Sequence, residues 1–167
     1  VLRPGMLTTV QDGGRWGWQS RGIPVAGPMD WYAHRLANRR AGNPDGAAAL
    51  EVTIAGPVLR ARGAVRCAVA GAAFVMESDG RPIDASARFE VPDGGTLRFG
   101  PRTAGARAAL AVYGGIAVPE VLGSRATSTA ARMGPFGGRA LRAGDELPIG
   151  TAASGARPAG SPMLLPS

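Results

Sequence analysis

The chain contains no lysine: all 19 of its basic residues are arginine, set against 12 acidic ones. A Walker-type phosphate loop needs a lysine beside its glycines, so that device is excluded. One histidine (His34) and one cysteine (Cys67) are too few for a metal centre, which takes several convergent ligands, and no metal site is expected. A lone cysteine also excludes an internal disulfide. Cys67 lies among Val65, Ala68 and Val69, where a buried, unreactive thiol is expected. A Ser–His–Asp arrangement would have to use His34, and no nucleophile-elbow pattern is present. Aromatic residues make up only 5%, and the arginines are scattered from Arg3 to Arg157 with only Arg39 and Arg40 adjacent. A formal charge of +7 therefore comes without the basic stripe and interleaved aromatics that track nucleic acid. No apolar run approaches the length of a membrane span, and Val1–Gly5 has no charged-then-apolar leader. These absences predict a cytoplasmic chain with neither a membrane nor a nucleic-acid partner.

Glycine and proline are plentiful, 26 and 14, and they punctuate short apolar runs. That spacing is typical of an all-β barrel or sandwich. Strands are predicted at 7–11, 49–54, 58–62, 65–70, 74–78, 87–91, 96–99 and 108–113. Asp79-Gly80 suits a two-residue hairpin, because glycine accepts the positive φ of a type I′ turn. One helix interrupts the pattern at about residues 28–42. Met29, Tyr32, Ala33, Leu36, Ala37 and Arg40 share its predicted buried face. Pro28 suits its first turn, Asp30 its positive end, and Gly42 before Asn43-Pro44 its stop. His34 falls on the polar side, four residues after Asp30, as an exposed pair. The fold class is thus mainly β, a barrel with one prominent helix packed against an open end. Residues 1–150 form the domain, and 151–167, made largely of Ala, Gly, Pro and Ser, read as a linker-like or disordered tail.

Several residues have two readings. Asp12, before Gly13-Gly14, shapes an Asx-type turn or belongs to a site. Asp30 starts the helix or acts as a base. Asn38 contacts a ligand or bonds the backbone. Gly114-Gly115 is a tight turn or presents N–H groups to an anion. Trp16, Trp18, Trp31 and Tyr32 line a cleft or a subunit interface.

The opening stretch is the most specific signal: Leu2 to Asp12 (LRPGMLTTVQD), then Gly14-Arg15 and Gly17. It continues as Gly22-Ile23-Pro24-Val25, Gly27-Pro28-Met29-Asp30, Leu36-Ala37-Asn38, Gly42-Asn43 and Ala48–Glu51. Later blocks are Tyr113-Gly114-Gly115-Ile116, Leu122-Gly123-Ser124-Arg125 and Gly138 to Asp145. In this order they resemble the biotin-dependent-carboxyltransferase-like family, which includes the C component of bacterial 5-oxoprolinase, the carboxyltransferase part of urea amidolyase, and allophanate hydrolase subunit 2. Gly13 departs from the family's usual larger apolar residue, and residues 126–136 follow its pattern loosely.

The resemblance implies two cyclophilin-like closed β-barrels in tandem, of which this chain matches the first. The second unit is expected to be missing, which would make the chain a fragment or free-standing half with little activity alone. The implied role is the C component of an ATP-dependent 5-oxoprolinase that converts 5-oxoproline to glutamate, with the A and B components as partners and ATP with Mg as cofactor. In that reading Arg15 and Arg125, beside glycines, contact phosphate, and Asn38, Gly115 and Ser124 contact the ligand. The alternative is biotin-dependent carboxyl transfer to urea or a similar amide, with Gln11, Asp12 and Asp30 orienting the amide or carrying a proton. A non-catalytic regulatory protein, for a partner such as a histidine kinase, or an inactive remnant are the other readings.

Overall fold

The computed structural model describes residues 1–151; the expected tail lies outside them except for Thr151. Seven strands, all paired antiparallel, form one sheet: β1 (Leu7–Gln11), β2 (Ala49–Thr53), β3 (Val58–Arg60), β4 (Val65–Ser78), β5 (Arg81–Pro82), β6 (Phe89–Val91) and β7 (Thr96–Val112). The main path runs β1-β2-β7-β4-β5, with β3 on β7 and β6 on β4. Among the described residues a single long helix, α1 (Trp31–Ala41), lies between β1 and β2 in the chain. The mainly β class and the one prominent helix are as expected.

Two strand pairs predicted as separate are each continuous. Residues 65–78 form one strand and 96–112 another, and they pair with register shifts between Gly71 and Met76. The glycines here bend the strands instead of ending them. Gly71 has φ +100°, and a Cβ on it would come within 2.5 Å of the Arg107 carbonyl oxygen. Bulges of this kind let a long strand curl and keep its ladder. The Asp79-Gly80 hairpin forms as expected, with φ +49° and +76° at its two residues.

Alternation along the central strands sorts side chains by size. Leu50, Val52, Val69 and Leu110 point into the main core with Val10, Met76, Leu97, and the edge-to-face pair Phe74–Phe99. Ala49, Ala68, Ala70, Ala109 and Ala111 point the other way and meet Ala33, Ala37 and Ala41 of α1. An all-alanine contact brings helix and sheet close, and larger side chains have no room between them.

That contact rotates the helix from its predicted orientation. Its buried residues are Ala33, His34, Ala37, Asn38 and Ala41, whereas Met29 and Tyr32 are 73% and 78% exposed. His34 is fully buried, not the exposed partner of Asp30. The helix also starts later than Pro28 suggested. Asp30 is the N-cap, accepting from the Ala33 N–H at 2.8 Å, and Pro28 precedes the helix. Gly42 ends it at φ +87°, as expected. Among the described residues no helix is long and apolar enough to cross a membrane.

Candidate functional site: a polar seam beside the first strand

β1 carries Thr9 and Gln11 opposite Glu51 and Ala49 of β2, on the face turned away from the main core. The amide of Gln11 donates to Thr9 Oγ1 at 2.9 Å and to the Thr127 carbonyl at 3.1 Å. The Thr127 N–H in turn donates to the Val10 carbonyl. The loop around residues 121–128 is thereby laid along β1, and the sequence-predicted residues of the two regions meet there.

Asp12 is the knot. One carboxylate oxygen accepts the Gly14 N–H at 2.9 Å and the Ser124 hydroxyl at 2.7 Å; the other accepts the Arg125 N–H at 2.5 Å. The expected Asx-type turn is present, and it is also a clamp on a segment more than a hundred residues away. Ser124 Oγ accepts the Ala126 N–H at 3.0 Å, which completes the knot. Three donors aimed at one carboxylate make it a holding group.

Arg15 is fully buried. Its Nε donates to the Val121 carbonyl at 2.7 Å and its Nη2 to the Ala126 carbonyl at 2.9 Å, while Nη1 has no partner among the described residues. The guanidinium fork thus spans the 121–126 loop from inside. Arg125 is half-buried. Its Nε donates to the Val118 carbonyl at 2.7 Å, and Nη1 pairs with Glu120 at 2.7 Å. Gln11, Asp12, Arg15, Ser124 and Arg125 therefore converge, but mainly on one another and on backbone.

Asn38 and Gly115 belong to a different network. Asn38 donates to the Ala47 carbonyl at 2.9 Å and faces His34 Nε2 at 3.1 Å; its Oδ1 accepts from Asn43. Asn43 Oδ1 accepts the Gly114 N–H, and the Gly115 N–H donates to Val112. Both glycine N–H groups are committed, so the anion reading of Gly115 loses its donor. His34, enclosed by the helix and this network, has its pKa lowered from 6.5 by burial.

Asp30 stands apart from the knot, on the rim of an open hollow of about 610 Å³. Met29, Trp31, Arg107 and the small residues 71–73 and 104–106 form the rest of its lining. Arg107 is a residue that sequence reasoning missed. It donates to Thr53 Oγ1 at 3.1 Å and lies 3.6 Å from Glu51. Glu51, nearly buried, accepts the Met29 and Asp30 N–H groups at 2.7 and 3.3 Å and fixes the hollow's rim to β2. Only the pairing of β2 with β7 brings 51, 53 and 107 together, so no local signal announces them.

Comparison with known proteins gives consistent results. The family described as carboxyltransferase domain, subdomain A and B, matches residues 21–165. Urea amidolyase of Lachancea kluyveri is 43% identical over 148 residues, covering 88% of this chain and 8% of that protein. The C component of the 5-oxoprolinase of Escherichia coli is 39% identical over 150 residues, covering 90% of this chain and 48% of that protein. The crystal structure of the K. lactis urea amidolyase superposes with a TM-score of 0.85 at 43% identity, covering 89% of this chain and 9% of that one. The chain thus spans about half of the 5-oxoprolinase relative and a small part of the urea amidolyases.

Proposed function

The chain belongs to the family of carboxyltransferase subdomains A and B, and we propose that it acts as one unit of the C component of a 5-oxoprolinase. The observation that carries this reading is the 39% identity over 150 residues to such a component, of which the chain covers nearly half. The substrate, 5-oxoproline, offers a carboxylate and a lactam N–H. The hollow beside α1 supplies a complement to each: the Arg107 guanidinium for the carboxylate and the Asp30 carboxylate for the N–H. Away from the hollow, Asp12, Ser124 and Arg15 hold the 121–126 loop, Arg125 ties to the Val118 carbonyl and Glu120, and Gln11 ties that loop to β1. These five are positioning groups in this reading.

The described residues make a poor cradle for ATP. The Gly114 and Gly115 N–H groups are spent internally, and the Arg15 guanidinium is enclosed. In this reading ATP with its Mg is used by the complex, and this chain's part is to orient the lactam. We read the curled sheet as a cyclophilin-like barrel, residues 1–150 as the first of two such units, and the complex as cytoplasmic.

The 43% identity to urea amidolyase favours a second reading, carboxyl transfer from biotin to urea, in which the same Asp30 carboxylate receives an amide N–H. The test is reconstitution of the chain with the A and B components, following glutamate released from 5-oxoproline with ATP. Glutamate formation that depends on the chain supports the first reading. Its absence, together with carboxylation of urea when a biotin-carrying partner is supplied, favours the second.

A further inference from the structure

We propose that the face carrying Trp16, Arg21, Met29, Tyr32 and Arg35 docks onto an acidic protein surface of a partner in the complex. This rests on the reading above, because Met29 also lines the hollow at Asp30, which needs a cover to exclude water.

Three observations carry the proposal. Large side chains are displayed here: Trp16 is 63% exposed, and Met29 and Tyr32 are more so. The Trp16 indole N–H donates to the Gly13 carbonyl at 2.8 Å, so the ring is held outward before any partner arrives. Rigid aromatic anchors lose little entropy on binding, and Trp, Tyr, Met and Arg are enriched in interfaces.

The second observation is cationic. Arg21 lies over the Trp18 ring, 5.2 Å from its centroid, and Arg35 over the Trp31 ring at 5.7 Å. Neither has a carboxylate within ion-pair reach among the described residues, although five other arginines do. Stacking fixes each guanidinium plane and leaves its N–H edges for an incoming carboxylate.

The third is continuity. The Arg15 N–H donates to the Val25 carbonyl at 2.6 Å, and a Cβ on Gly27 would touch the Trp31 ring at 3.0 Å. These contacts seat the loop bearing Trp16, Trp18 and Arg21 against the segment that leads into α1. A second copy of this chain would bring the same arginines against each other, so an acidic, different partner fits the charge.

The experiment measures binding of the chain to the purified A and B components by calorimetry at about 50 and about 300 mM salt. Arg21→Glu with Arg35→Glu, and separately Trp16→Ala, are expected to weaken binding by about tenfold or more, and added salt to weaken the wild type. Arg88→Glu with Arg98→Glu, exposed elsewhere, serves as the charge-matched control and should bind as wild type. Thermal melts of all variants should match. Equal binding by the face and control variants overturns the proposal, as does the absence of association. A homodimer dispersed by Trp16→Ala assigns the face to a second copy and also overturns it. Glutamate formation that needs the chain but ignores the face variants retains the proposed function while removing the docking face.

Discussion

The hydroxyl of Ser124 donates to the carboxylate of Asp12 at 2.7 Å, joining residues 112 positions apart. The pair closes the seam along β1, and the Arg125 N–H on the second carboxylate oxygen locks it. Ser124→Ala removes one charge-assisted bond and leaves the Ala126 N–H without its acceptor, costing about 1–3 kcal/mol. Asp12→Ala strands three donors and should cost more than Ser124→Ala. Urea denaturation of both variants checks this; equal midpoints for wild type and Ser124→Ala would refute the clamp.

The alanine contact between α1 and the sheet predicts an asymmetry. Ala109→Leu, on the helix side of β7, should destabilise by about 1–3 kcal/mol through overpacking. Ala104→Leu, exposed on the same strand, should change stability by less than about 0.5 kcal/mol. Comparable losses at both positions would argue against close helix packing.

His34 predicts a pH window. Burial lowers its pKa below 6.5 in the folded chain, so below that value the unfolded chain takes up the proton more readily. The His34 contribution is therefore fully present above pH 6.5 and is lost as pH falls from there towards the folded value. The melting temperature should drop between about pH 7 and about pH 5, and less so in His34→Gln. Asp45, held below its usual 3.8 by its hydrogen bonds to Arg39, contributes in a separate, lower window. An equal drop in wild type and variant would assign the effect to other groups.

Asp30→Asn separates cap from chemistry. Asparagine caps a helix as well as aspartate, so stability should hold within about 0.5 kcal/mol. Exchanging the charged acceptor for a neutral amide oxygen should reduce glutamate formation in the reconstituted complex by about tenfold. Unchanged activity would leave Asp30 as a cap alone.

Cys67 supplies a simple probe of core integrity. Burial pushes its thiol up to about 12, so it stays protonated at neutral pH and shielded. Labelling by a thiol reagent should be slow in the native chain and fast in denaturant. Rapid native labelling would show that the core opens.

Local signals made much of the fold legible. Asp79-Gly80 marked a hairpin and Gly42 a helix stop because each depends on backbone conformation that the residue itself permits. Strand positions followed from apolar alternation, and the family likeness from the order of short blocks. The helix face was misread because hydrophobicity alone placed Met29 and Tyr32 inside. What decided the matter was size, since alanines on both elements leave no space for them.

By itself, then, the sequence determined the β class, the helix and its caps, and the family, all of which depend on neighbours within a few residues or on ordered motifs. Only tertiary structure decided which residues meet. Ser124 reaches Asp12, Arg15 is enclosed by the 121–126 loop, and Arg107 joins Asp30 at one hollow because strand pairing and loop closure bring distant segments together. Such contacts are set by sheet register and packing, and no spacing along the chain encodes them.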